Sequence, residues 1–75
     1  MTPSVDTVRE VCGMLVVAVY FSKAMTIFRW DEQSKSVTVF GEGGAITAGK
    51  VHRMRRSALR AFQEYLAGKT AVSIQ

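Results

Sequence analysis

Apolar positions change period along this chain, and each change marks an element. Val5, Val8 and Cys12 recur at spacings of three and four, with Asp6, Arg9 and Glu10 between them, which is the pattern of one helix face. Thr2 and Pro3 precede that stripe as a capping hydroxyl and a first-turn proline, and Gly13 follows where a C′ glycine closes a helix. The spacing predicts a short N-terminal helix. Residues 15–21 (LVVAVYF) then run together as β-branched and aromatic side chains, as expected of a strand shielded on both faces. Val8, Cys12, Leu15 and Val19 also keep helical spacing, and residues 22–24 (SKA) make a poor hairpin turn, so one long helix over residues 3–23 is the alternative. Gly13 and the stiff valines each weigh against that alternative by a few tenths to about 1 kcal/mol.

Alternation then takes over. Residues 25–30 (MTIFRW) and 36–40 (SVTVF) flank the polar residues 31–35 (DEQSK), predicting an antiparallel hairpin over about residues 25–40. Thr26, Phe28 and Trp30 share one face, Met25, Ile27 and Arg29 the other. Both faces are apolar, so one is expected to take a helix and the other a further cover, either the N-terminal helix or a second subunit. The helical period returns with Val51, Met54, Ala58, Phe62 and Tyr65, flanked by Leu59 and Leu66. It predicts a helix over about residues 48–67, closed by Gly68 and Lys69, with a weakly alternating tail at residues 70–75 as a candidate edge strand. The expected fold class is α+β: one domain over residues 1–75, with a short N-terminal helix, a small antiparallel sheet of two or three strands, and a basic amphipathic C-terminal helix packed on it.

Length adds a requirement to this picture. A domain of 75 residues buries only about 60% of its unfolded surface. Cys12, the sole cysteine, has no disulfide partner within the chain, and Cys12 and His52 are the only soft ligands where a structural zinc site takes four. No metal or cofactor is expected. Self-association is, in the form of a two-fold homodimer. The apolar run over residues 11–21 is shorter than the ~20 residues that span a bilayer, and Asp6 and Glu10 outweigh Arg9 where a secretory signal would be basic. These features predict a cytoplasmic protein without a membrane partner.

The charge distribution carries the functional signal. Residues 1–45 sum to −1 and residues 46–75 to +5, so the net +4 is local. On the C-terminal helix His52, Arg53, Arg56 and Arg60 form a row opposite the core stripe, joined by Lys50 and Arg55, and no acid interrupts residues 50–60. Arginines outnumber lysine four to one there, and their planar forks suit phosphate, guanine or carboxylate. Ahead of them residues 44–50 (GAITAGK) keep the glycine and lysine spacing of a phosphate-binding P-loop. Val51 stands where that motif needs a magnesium-binding Ser or Thr, and the chain has no room for the parallel sheet of a nucleotide hydrolase. What survives is a strand-to-helix turn with Gly43, Gly44 and Gly49 as a candidate anion loop.

Catalysis has little to work with. His52 lies among cations with no carboxylate near it in sequence, Cys12 reads as a small buried hydrophobe, and Asp31 and Glu32 belong to a solvated turn. Phe28 and Trp30 could stack on bases, but hairpin aromatics are more often core. The sequence thus points to a non-enzymatic binding module whose Lys50, Arg53, Arg55, Arg56 and Arg60 contact nucleic-acid phosphate, DNA or RNA. The alternative is a protein-interaction module, a small regulator or inhibitor presenting the same arginines to an acidic partner.

Overall fold

Cys12 and Gly13 take the left-handed backbone region, with φ of +50° and +79°. Two successive positive φ values are the signature of a tight two-residue hairpin turn rather than of a helix end. The turn folds the N-terminal segment back along its successor. The structure, a computed structural model, describes residues 2–43 and 47–74, with side chains described through Gly68. Its elements are β1 (Ser4–Val5), β2 (Arg9–Val11), β3 (Met14–Phe21), β4 (Ala24–Asp31), β5 (Ser36–Gly43) and α1 (Ala48–Ile74). β1 and β2 pair antiparallel with successive parts of β3, which pairs with β4, which pairs with β5.

The fold therefore differs from the expectation of an N-terminal helix and two or three strands. Among the described residues a five-stranded antiparallel sheet carries one C-terminal helix, and residues 3–23 form neither a short nor a long helix. Val5, Val8 and Val11 are β-branched, and pairing with β3 satisfies backbone groups that an isolated short helix would leave to water. The chain kinks between β1 and β2, where the Asp6 N–H donates to the Ala18 carbonyl at 2.9 Å. The turn between β3 and β4 is also two residues long. Ser22 enters the left-handed region at φ +60°, so a non-glycine residue supplies the geometry usually left to glycine.

Between β4 and β5 the loop is built by its own side chains. The Asp31 carboxylate accepts from the Gln33 N–H at 3.2 Å and the Ser34 hydroxyl at 2.8 Å. Glu32 accepts from the Trp30 indole N–H at 2.8 Å and pairs with Lys35. Register then slips by one residue, with Ile27 opposite Gly41 and Phe28 opposite Val39, leaving Phe40 as a bulge that is 57% exposed.

Strand alternation divides the sheet into two faces. Val17, Val19 and Phe21 of β3, Ala24, Thr26 and Phe28 of β4 and Val37 of β5 are buried, and Met54, Ala58 and Phe62 of α1 meet them. The Thr26 hydroxyl donates to the Met54 sulfur at 3.8 Å, and Trp30 packs on Phe62 with ring centroids 5.8 Å apart. Thr47 caps α1: its hydroxyl accepts from the Lys50 N–H at 3.3 Å and its carbonyl from the Val51 N–H at 3.0 Å. The helix continues through Gly68 to Ile74, so the expected closure at Gly68 does not form and residues 70–74 are helical rather than an edge strand. Gly68 carries no positive φ, and the roughly 1 kcal/mol that a glycine costs inside a helix is less than a break would forfeit.

A Cβ added at Gly13 would meet no atom within 4 Å, so Gly13→Ala isolates the strain of its φ. The substitution is expected to lower stability by about 1 kcal/mol in urea unfolding. An unchanged midpoint would mean that the β2–β3 turn relaxes out of the left-handed region.

Candidate functional site

The phase of α1 distributes its cations over two flanks. Met54, Ala58 and Phe62 point into the sheet, and the residues to either side overhang β1 on one flank and β5 on the other. Arg53, Arg56 and Arg60 fall on the β1 flank at spacings of three and four, all exposed. They form one wall of an open groove of about 910 Å³ whose opposite wall is the N-terminal segment with Pro3, Val5, Asp6 and Val8. Ser57, Ala61, Glu64 and Tyr65 complete the helix side.

These guanidiniums are electrostatically unspent. Among the described residues the only ion pair is Lys35 with Glu32, in the β4–β5 loop. Asp6 and Glu64 line the same groove without pairing with the arginines, and the Asp6 carboxylate is occupied by the Thr7 N–H at 2.7 Å. Arg53 lies over the Phe21 ring, its guanidinium carbon 5.7 Å from the centroid, which orders the side chain while leaving its N–H groups free.

Arg55 is placed elsewhere. It occupies the β5 flank, where it donates to the Val37 carbonyl at 2.8 Å and lies 5.9 Å over the Phe28 ring. Among the described residues β5 has a strand neighbour on one side only, so Arg55 fastens the helix to a sheet edge and covers part of it. Lys50, half-buried in the first turn of α1, is not among the groove-lining residues, and His52 is exposed. Of the candidate anion loop, Gly43 ends β5 and Gly49 sits in the first helical turn, while Gly44 lies outside the described residues. Neither Gly43 nor Gly49 lines the groove. The structure thus brings Arg53, Arg56 and Arg60 together and separates them from Arg55 and Lys50. Tyr65 and the N-terminal wall are additions that sequence reasoning did not supply, because the N-terminal segment was expected to be a helix.

Among the described residues no three His, Cys, Asp or Glu side chains approach closely enough to hold a metal, and no buried side-chain polar atom lacks a hydrogen-bond partner. Cys12 is exposed at the β2–β3 turn rather than buried. The carboxyls of Asp31 and Glu32 are both held below their ordinary range, Asp31 chiefly by the Ser34 hydroxyl and then the Gln33 N–H, Glu32 chiefly by Lys35 and then the Trp30 indole. Each carboxylate is spent on the turn. Among the described residues no helix is long and apolar enough to cross a membrane.

No family model, curated protein or solved structure matches the chain.

The two flanks make separable predictions. Arg55→Gln removes a charge-assisted hydrogen bond and a ring contact, and is expected to cost about 1–3 kcal/mol in urea unfolding. Arg56→Gln changes an exposed side chain without an ion pair and is expected to stay within about 0.5 kcal/mol of the parent. Equal effects would contradict this division of labour.

Proposed function

We propose that the protein is a non-enzymatic binding module whose Arg53, Arg56 and Arg60 hold nucleic-acid phosphate along the groove beside β1. One observation carries the reading: three exposed guanidiniums at successive helical turns share one wall and none is neutralised by an ion pair among the described residues. Each arginine that meets a phosphate releases condensed counterions, which gives affinity without base contacts. Tyr65, half-buried in the same groove, offers a ring edge beside the phosphate track. DNA and RNA are both accommodated by this chemistry.

A second reading has its own observation. The wall facing the arginines carries Pro3, Val5 and Val8, with Asp6 among them, and an apolar wall suits an acidic protein segment that buries side chains as well as charge. Such a partner would bind with weaker salt dependence and tolerate no exchange for a random polyanion.

Binding of random-sequence single-stranded DNA and RNA across a salt series separates the two. Three phosphate contacts give a slope of log affinity against log salt of about −2 on single strands. Arg56→Gln is expected to weaken binding and flatten the slope by about 0.7, while Arg55→Gln leaves the slope unchanged. Absence of binding at about 50 mM salt, or a slope indifferent to Arg53 and Arg56, would reject the nucleic-acid reading.

A further inference from the structure

The face of the sheet opposite α1 is largely apolar, and no element among the described residues covers it. Register assembles it row by row: Arg9, Val16, Arg29 and Thr38 lie side by side, then Ala18, Ile27 and Gly41, then Ser4, Tyr20, Met25 and Gly43. Every sheet residue buried under α1 has the other parity. Tyr20 and Val11 remain 47% and 46% exposed, and Arg29 lies flat on this face, its guanidinium reaching the Met14 sulfur at 3.8 Å. Antiparallel sheets commonly leave one face to water, but that face then alternates to polar residues. Here the alternation yields valine, isoleucine, methionine and tyrosine.

We infer that this face is the interface of a homodimer in which two copies pack sheet on sheet around a two-fold axis. Area, shape and charge each favour a second copy as the occupant. Three strand spacings of about 4.8 Å by eight residues at about 3.3 Å give roughly 400 Å² of projected face per chain. Two such faces, raised by side-chain relief to on the order of 1,000 Å² of accessible surface, reach the lower bound of a specific interface. The middle row sets the shape: Ala18 and Gly41 are small on either side of Ile27, so two sheets can approach to the usual separation of about 10 Å with the two Ile27 side chains meeting at the axis. Charge fixes the orientation. The face carries Arg9 and Arg29 at one end of its rows and Tyr20 at the other. A two-fold axis across the strands sets each arginine row over the partner's Tyr20 row, so guanidinium meets aromatic ring and like charges stay apart. The helices then lie on the two outer faces, each with its groove open. This inference is independent of what the groove binds.

The test is the mass of the full chain by light scattering and sedimentation from about 1 to about 200 µM, where mass action must show in a dimer of this size. Wild type is expected to approach twice its 8.3 kDa chain mass at the upper end. Tyr20→Lys sets a cation against the partner's arginine row and is expected to raise the dissociation constant at least tenfold while keeping the parent's circular dichroism. Val39→Glu alters a side chain 40% exposed on the opposite parity and should change the constant less than twofold. If Tyr20→Lys fails to fold, Val11→Lys at the end of β2 takes its place. A monomeric wild type at every concentration, or a dimer dissociated by Val39→Glu and indifferent to the Tyr20 and Val11 changes, would overturn the inference.

Discussion

Docking of Met54, Ala58 and Phe62 onto Val17, Val19, Phe28 and Val37 is the contact on which the rest of the molecule depends. An isolated helix with β-branched residues and with Gly49 and Gly68 in it is marginal in water, and a sheet four strands wide exposing both faces would be worse. Burying Phe28, Phe62 and Met54 completely contributes about 1.5–3 kcal/mol per side chain. For 75 residues the net stability is of order 4–11 kcal/mol, so this one contact is a large share of the difference between folded and unfolded chain. Ala58 at its centre keeps the helix close, and Trp30 against Phe62 closes one end.

That contact also fixes what the arginines can do. Once Met54, Ala58 and Phe62 point inward, Arg55 must fall beside β5 and Arg53, Arg56 and Arg60 beside β1. One flank then serves the fold, through the Val37 carbonyl, and the other is left open along the groove. A rotation of the helix by a single residue would exchange these roles. The same contact commits one parity of β3 and β4 to the interior and leaves the other, with Val16, Ala18, Tyr20 and Ile27, on the open face of the sheet.

The hairpin was readable from sequence because period-two alternation and a polar loop agree, and the helix because its stripe is long enough to exclude a strand. The N-terminal segment misled for a physical reason. Val5, Val8 and Cys12 keep helical spacing although Ser4–Val5 and Arg9–Val11 are separate strands on either side of a kink, and the kink imitates the period. Gly13 has positive φ in both readings, so only its neighbour Cys12, also left-handed, distinguishes a turn from a helix end. Ser22 conceals the next turn in the same way. The arginine row was legible, but its division was not. The available signal was that Arg55 lies four residues from both Val51 and Leu59, which are half-buried, whereas Arg56 and Arg60 lie four apart on the exposed side. The groove itself could not be foreseen, since its second wall is the segment expected to be helical.

The central claim is that α1 separates the molecule into a ligand-facing flank and a self-associating sheet face. Backbone amide chemical shifts, followed first on dilution and then on titration with a random-sequence oligonucleotide, test it directly. Dilution should move Val16, Ala18, Tyr20 and Ile27, and the oligonucleotide should move Arg53, Arg56, Arg60 and the N-terminal wall from Val5 to Val8. Both perturbations falling on one face, or the oligonucleotide shifting the open sheet while sparing the groove, would contradict it.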